Sequence, residues 1–161
     1  MVEARLKESD ILNRKHQLRS IGMSLVERSF YTNSRMAGLI IAVDFDGTCV
    51  THEYPYMGVD IGAAPVLKEL TDNGCRLILY TMRSGKLEKE AVEWFKRNGI
   101  PLFAVNSNPE QKQWTKSVKP HADLYIDDSA LGCPLTTSQQ SIRPFVDWVK
   151  VREWLVKEGF L

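Results

Sequence analysis

From residue 39 the chain alternates between short apolar runs and amphipathic stretches. Leu39–Val43 (LIIAV) is almost continuously apolar, as expected of a strand covered on both faces. Pro65 to Asn73 has helical spacing, with Val66, Leu67 and Leu70 on one side and Gly74 after its end. Arg76–Tyr80 (RLILY) predicts a second buried strand. Leu87 to Asn98 predicts an amphipathic helix that turns Leu87, Ala91, Trp94 and Phe95 inward and is closed by Gly99. Leu102–Val105 and Leu124–Ile126 predict two further strands. Phe145 to Lys157 predicts a last helix burying Phe145, Trp148, Val149 and Leu155. Gln111–Lys119 and Leu131–Ser141 read as loops. Strands alternating with helices imply an α/β fold around a mostly parallel, doubly wound sheet.

Residues 1–35 follow a different pattern. Leu6, Ile11, Leu12, Leu18, Ile21, Leu25 and Val26 recur at roughly helical spacing, so this segment reads as a helical or poorly ordered extension. Met36 stands directly before the first strong strand, which sets the expected compact domain at 36–161. The extension holds seven Lys/Arg and four Asp/Glu, against 14 and 16 in the remainder, for a total of +1. A near-neutral chain is not held to nucleic acid mainly by bulk charge. No apolar run approaches the roughly 20 residues that span a bilayer, and Glu3, Glu8 and Asp10 interrupt any secretory signal. A cytoplasmic protein without a membrane partner is expected. Cys49, Cys75 and Cys133 are odd in number and widely spaced, which suits reduced thiols better than a zinc site.

Ligand sites in such sheets lie beyond the carboxyl ends of the strands. The first strand runs into Asp44-Phe45-Asp46-Gly47-Thr48, and the fourth ends in Asp127-Asp128. Residues two apart on a strand share a face, so Asp44 and Asp46 can point together while Phe45 packs away. Gly47 lets the backbone turn there. A single Asp after a strand is ordinarily a turn or cap residue. Carboxylates gathered from two strand ends instead repel one another, and a hard divalent cation with oxygen ligands, Mg²⁺, relieves that. A DxD pair alone also fits a nucleotide-sugar transferase.

IAVDFDGT, LYTMRS and KPHADLYIDD, in this order, resemble the motifs of the haloacid dehalogenase superfamily of phosphotransferases, especially its small bacterial and phage-type members. The resemblance covers about residues 38–135. It implies a Rossmann-like, three-layer α/β/α fold and a Mg²⁺-dependent phosphatase acting on phosphate monoesters. Asp44 would be the nucleophile, forming an aspartyl-phosphate, and Asp46 the acid and base for the leaving oxygen and the attacking water. The metal would be held by Asp44, the backbone carbonyl of Asp46, Asp127 and, directly or through water, Asp128. Thr81 would grip a phosphate oxygen through its hydroxyl and N–H. Lys119, with Lys116 as the alternative, would stabilise the nucleophile and the transferring group. Thr48 and Arg83 join the substrate and phosphate set, Thr48 by orienting its loop, Arg83 by contacting substrate or else a neighbouring carboxylate. His52, Tyr54 and Tyr56 form a natural rim. Asn106 and Asn108 suit a turn before Pro109.

Members of this superfamily usually carry a cap after the first or second motif. Between Asp46 and Thr81, and between Thr81 and Lys119, the expected elements consume nearly all residues, so this chain resembles a capless member. Without a lid the site cannot enclose a small phosphorylated molecule by itself. It would act on the phosphorylated end of a larger one, or be closed by a neighbouring subunit of a homo-oligomer or by residues 1–35. Nucleotides and polynucleotide ends lead the expected substrates, followed by sugar phosphates. The competing class is a non-catalytic metal-binding module on the same fold.

Overall fold

The computed structural model describes residues 37–139 and 141–161; the extension 1–35 and Met36 lie outside them. Four apolar runs form one parallel sheet: β1 (Ile40–Val43), β2 (Arg76–Leu79), β3 (Leu102–Val105) and β4 (Leu124–Ile126), in the order β3-β2-β1-β4. The central strand β1 pairs with β2 from Ile40↔Arg76 to Val43↔Leu79 and with β4 from Ile41↔Leu124 to Val43↔Ile126. All four carboxyl ends therefore lie along one edge. Residues of β1 are buried on both faces, which is why its sequence shows no alternation.

Three helices flank the sheet: α1 (Ala63–Asp72), α2 (Gly85–Arg97) and α3 (Trp148–Glu158). All contribute their buried residues to one cluster, on the sheet face that carries Ile41, Val43, Leu77 and Leu79. The opposite face holds a smaller cluster of Ile40, Ala42 and Ile78, packed by Phe103, Ala104, Ala122 and Tyr125. Among the described residues, the crossover from β3 to β4 contains only a 3₁₀ turn, Pro109–Gln113, so the helices do not form matching layers on both faces. The intervals from Asp46 to Thr81 and from Thr81 to Lys119 contain α1 with β2, and α2 with β3 and that turn. Neither holds a further domain.

The last helix differs from expectation. Phe145–Val146 is β6, an antiparallel partner of β5 (Leu135–Thr136) inside the expected loop. The helix begins only at Trp148 because Asp147 is its N-cap, accepting from the Lys150 amide at 3.2 Å. Starting there, Trp148, Val151 and Leu155 face inward, and Val149 points out at 70% exposure instead of joining the core. Helix α1 starts two residues before Pro65, which the first turn tolerates because no intrahelical N–H is needed there. None of Cys49, Cys75 and Cys133 is in a disulfide among the described residues. Among the described residues, no helix is long and apolar enough to cross a membrane.

Candidate functional site

The site begins where β1 ends. Asp44 continues the ladder, its amide donating to the Ile126 carbonyl at 3.0 Å. Phe45 is fully buried against Trp94 and Phe95, with ring centroids at 5.7 and 6.3 Å. Burying such a ring stabilises by about 2–3 kcal/mol, and the alternation that sends it inward leaves Asp44 and Asp46 together on the other side. The chain then turns tightly. The Thr48, Cys49 and Val50 amides all donate to the Phe45 carbonyl, and Gly47 sits at φ 84°. A Cβ on Gly47 would stand 2.5 Å from Asp128 Oδ2, so glycine is required both for the backbone angle and for the approach of β4. The buried Trp148 indole locks this turn from α3 by donating to the Thr48 carbonyl at 2.6 Å.

At this edge one oxygen each from Asp44, Asp127 and Asp128 lies within 4.8 Å of the others. All three are half-buried, and they line a cavity of about 600 Å³ together with Asp46, His52, Tyr54, Thr81 and Met82. Burial raises the Asp44 carboxyl from 3.8 to about 7, and repulsion from Asp127 and Asp128 adds to that. The Phe45 amide and the Thr48 hydroxyl act against the rise. Asp128 is also raised, by burial and then by Asp127, while His52, Ser129 and Arg143 pull it down. The three oxygens therefore suit a cation that would let all of them ionise, and an all-carboxylate set suits a hard divalent ion. A second cavity, of about 470 Å³ between β4 and α3, is lined mainly by apolar groups and no carboxylate.

Other expected site residues take different places. The Asp46 carboxylate is outside the triad; Arg83 grips it with Nε–Oδ2 and Nη2–Oδ1 distances of 2.7 Å each. Arg83 therefore serves a carboxylate rather than a phosphate. Thr48 is fully buried, and its hydroxyl donates to Asp44 Oδ2 at 3.2 Å while accepting from the Asp128 amide at 3.0 Å. It fastens the two strand ends together and offers nothing to a phosphate. Thr81 lines the cavity, but its amide is already taken by the Asn106 carboxamide at 2.8 Å and its Oγ accepts from the Arg83 amide. Lys119 and Lys116 are exposed and neither lines the cavity; the Lys119 ammonium lies over the Tyr125 ring, 5.1 Å from its centroid. Of the rim residues, His52 and Tyr54 reach the cavity and Tyr56 does not.

Asn106 holds a role that turn propensity concealed. It adopts φ 48°, a conformation Asn tolerates better than most residues, and so caps the end of β2. Asn108 behaves as expected, accepting from the Glu110 amide at the start of the 3₁₀ turn. Arg143 was not legible at all. It reaches across from the segment before β6 to His52, with Nη1 3.1 Å from Nε2.

No protein-family model and no curated protein matches this chain. Among solved structures, that of a conserved protein coded by a locus of Bacteroides thetaiotaomicron is similar, with a TM-score of 0.60 and 41% identity. The match covers 75% of this chain and 91% of that one, and at that identity and coverage the chain belongs to the family of this conserved Bacteroides protein.

Proposed function

We propose that this protein is a capless phosphatase of the haloacid dehalogenase type, hydrolysing phosphate monoesters with a divalent cation, Mg²⁺, at the Asp44–Asp127–Asp128 cluster. The carboxylate triad at the carboxyl edge of a β3-β2-β1-β4 parallel sheet, with a further aspartate, Asp46, in the turn two residues beyond Asp44, carries this reading. Asp44, Asp127 and Asp128 would hold the ion, which supplies positive charge to offset that of an incoming phosphate. The Asp44 carboxylate attacks phosphorus, the bond from phosphorus to the ester oxygen breaks, and that oxygen takes a proton from Asp46. Water then attacks the aspartyl-phosphate, giving its proton to Asp46 and releasing phosphate with Asp44 restored. Thr48 holds Asp44 in line throughout by its hydroxyl.

The test is Mg²⁺-dependent phosphate release from p-nitrophenyl phosphate, 5′- and 3′-nucleotides, sugar phosphates and a 5′-phosphorylated oligonucleotide. Asp44→Asn is the control. Turnover that disappears in the variant is the expected result, and the best substrate identifies the class. A folded, Mg²⁺-binding protein that turns over none of them would favour the non-catalytic module.

A further inference from the structure

We propose that Arg83 is the positioning residue for Asp46 and ties it to segment 51–60, so that seating that segment and orienting the carboxylate are a single event. The inference rests on the phosphatase reading for the role of Asp46, but its geometry stands apart from it. The Arg83 side chain is fully buried, where an unpaired guanidinium would be strongly unfavourable. It is held by two chain segments at once, 45–46 and 54–56. Nε and Nη2 donate to the two Asp46 oxygens, and Nη2 also donates to the Tyr56 carbonyl at 2.7 Å. The Phe45 and Tyr54 rings lie 5.1 and 5.6 Å from the guanidinium carbon.

A guanidinium is a rigid planar fork. Tyr56 therefore cannot shift relative to Asp46 without breaking one of these bonds or carrying the carboxylate with it. Segment 51–60 is itself closed: the Thr51 amide donates to the Val59 carbonyl at 2.8 Å, and the Val59 amide to Thr51 Oγ1 at 2.9 Å. A Cβ on Gly58 would lie 2.0 Å from the Thr51 carbonyl oxygen, so the two strands of this loop touch and move together. Its Tyr54 ring is 53% exposed and lines the cavity, which lets an incoming molecule press on the loop. Among the described residues, Arg83 Nη1 is buried without a partner. Orphaned buried donors are rare and disfavoured, and this one sits on the residue that aligns Asp46.

The experiment is amide hydrogen exchange on the full chain, comparing wild type with Asp46→Asn and Arg83→Lys. The amides of Thr51, Tyr56 and Val59 report the segment, and those of Ile41 and Ile78 report the sheet. Both variants should speed exchange of the three segment amides at least tenfold and leave the sheet amides unchanged. Lysine keeps the charge but, as a point donor, cannot hold Asp46 and Tyr56 in one plane. With p-nitrophenyl phosphate, Arg83→Lys should lower kcat at least tenfold and change KM less than threefold. Unchanged segment exchange in a folded variant overturns the tie, and so does an unchanged kcat. If Arg83→Lys fails to fold, the isosteric Asp46→Asn still decides. If wild type shows no turnover, the phosphatase reading fails and the exchange result alone judges the tie.

Discussion

Removing the Asp44 charge should stabilise the metal-free protein at pH 8 and leave it unchanged near pH 4. The Asp44 carboxyl is raised from 3.8 to about 7 in the folded chain, chiefly by burial and further by Asp127 and Asp128. Below 3.8 both folded and unfolded forms hold the proton, and nothing is lost. Between 3.8 and about 7 the unfolded chain releases a proton that the folded chain keeps, so stability falls as pH rises. Above 7 the loss is complete. At 1.36 kcal/mol per pH unit it reaches about 4 kcal/mol, a large share of the 5–15 kcal/mol typical of a domain. Asp128 is raised too and acts in the same direction. Asp147 and Glu110 are lowered, so their contribution is lost at acid pH instead, and they remain in the variant and cancel.

Urea unfolding of wild type and Asp44→Asn with a chelator, from pH 4 to 8, measures the difference directly. It should grow from near zero to about 4 kcal/mol in favour of the variant. Mg²⁺ should offset most of this difference, since an ion at one hundred times its Kd adds about 2.7 kcal/mol to the form that binds it. That gain belongs to wild type and should be much smaller in Asp44→Asn. A wild-type-minus-variant difference that stays flat from pH 5 to 8 would refute the reasoning. Asp44 would then ionise normally in the folded protein, and the cluster would have no charge conflict for a cation to relieve.

Two further outcomes can be checked, the first drawn from this geometry and the second from the proposed phosphatase reading. Gly47→Ala places a methyl against Asp128 Oδ2 at a φ of 84° and should weaken Mg²⁺ at least tenfold in a calorimetric titration; unchanged affinity would remove Asp128 from the ligand set. Lys119→Ala should cost about two orders of magnitude more turnover than Lys116→Ala, the scale of losing a preorganised charge stabiliser. The reverse order would move the motif lysine to 116.

Sequence order alone located the carboxylates. Asp44 and the Asp127-Asp128 pair each follow an apolar run that forms a strand, and parallel pairing brings these strand ends together. Loop side chains carry no such constraint. Arg83 is two residues from Thr81, but its fork suits a phosphate as well as a carboxylate, and only the folded chain brings Asp46 within 2.7 Å of it. Thr48 reads in sequence as a loop-orienting residue, and nothing there reveals that the Asp128 amide approaches it from 80 residues away. Phe145 is buried as expected but lies in β6, and Val149 points outward, for a local reason: the apolar spacing runs on through Asp147, and the cap, not the periodicity, sets where the helix starts.

These reassignments change the electrostatic problem at the site. With Arg83 committed to Asp46 and the Lys119 ammonium over Tyr125, no lysine or arginine lines the cavity among the described residues, while four aspartates do. A phosphate dianion entering it would meet net negative charge in a half-buried space, where repulsion is weakly screened. Arg143 reaches His52 at the cavity wall without lining the cavity itself. On the proposed phosphatase reading, phosphate chemistry here would depend on a divalent cation, with Lys119 able to contribute only by leaving Tyr125. Metal binding should precede anion binding: in calorimetry, inorganic phosphate should bind in the presence of Mg²⁺ and not after chelation. Equal phosphate affinity under both conditions would show that side chains of the protein, and not an ion at the aspartates, receive the anion.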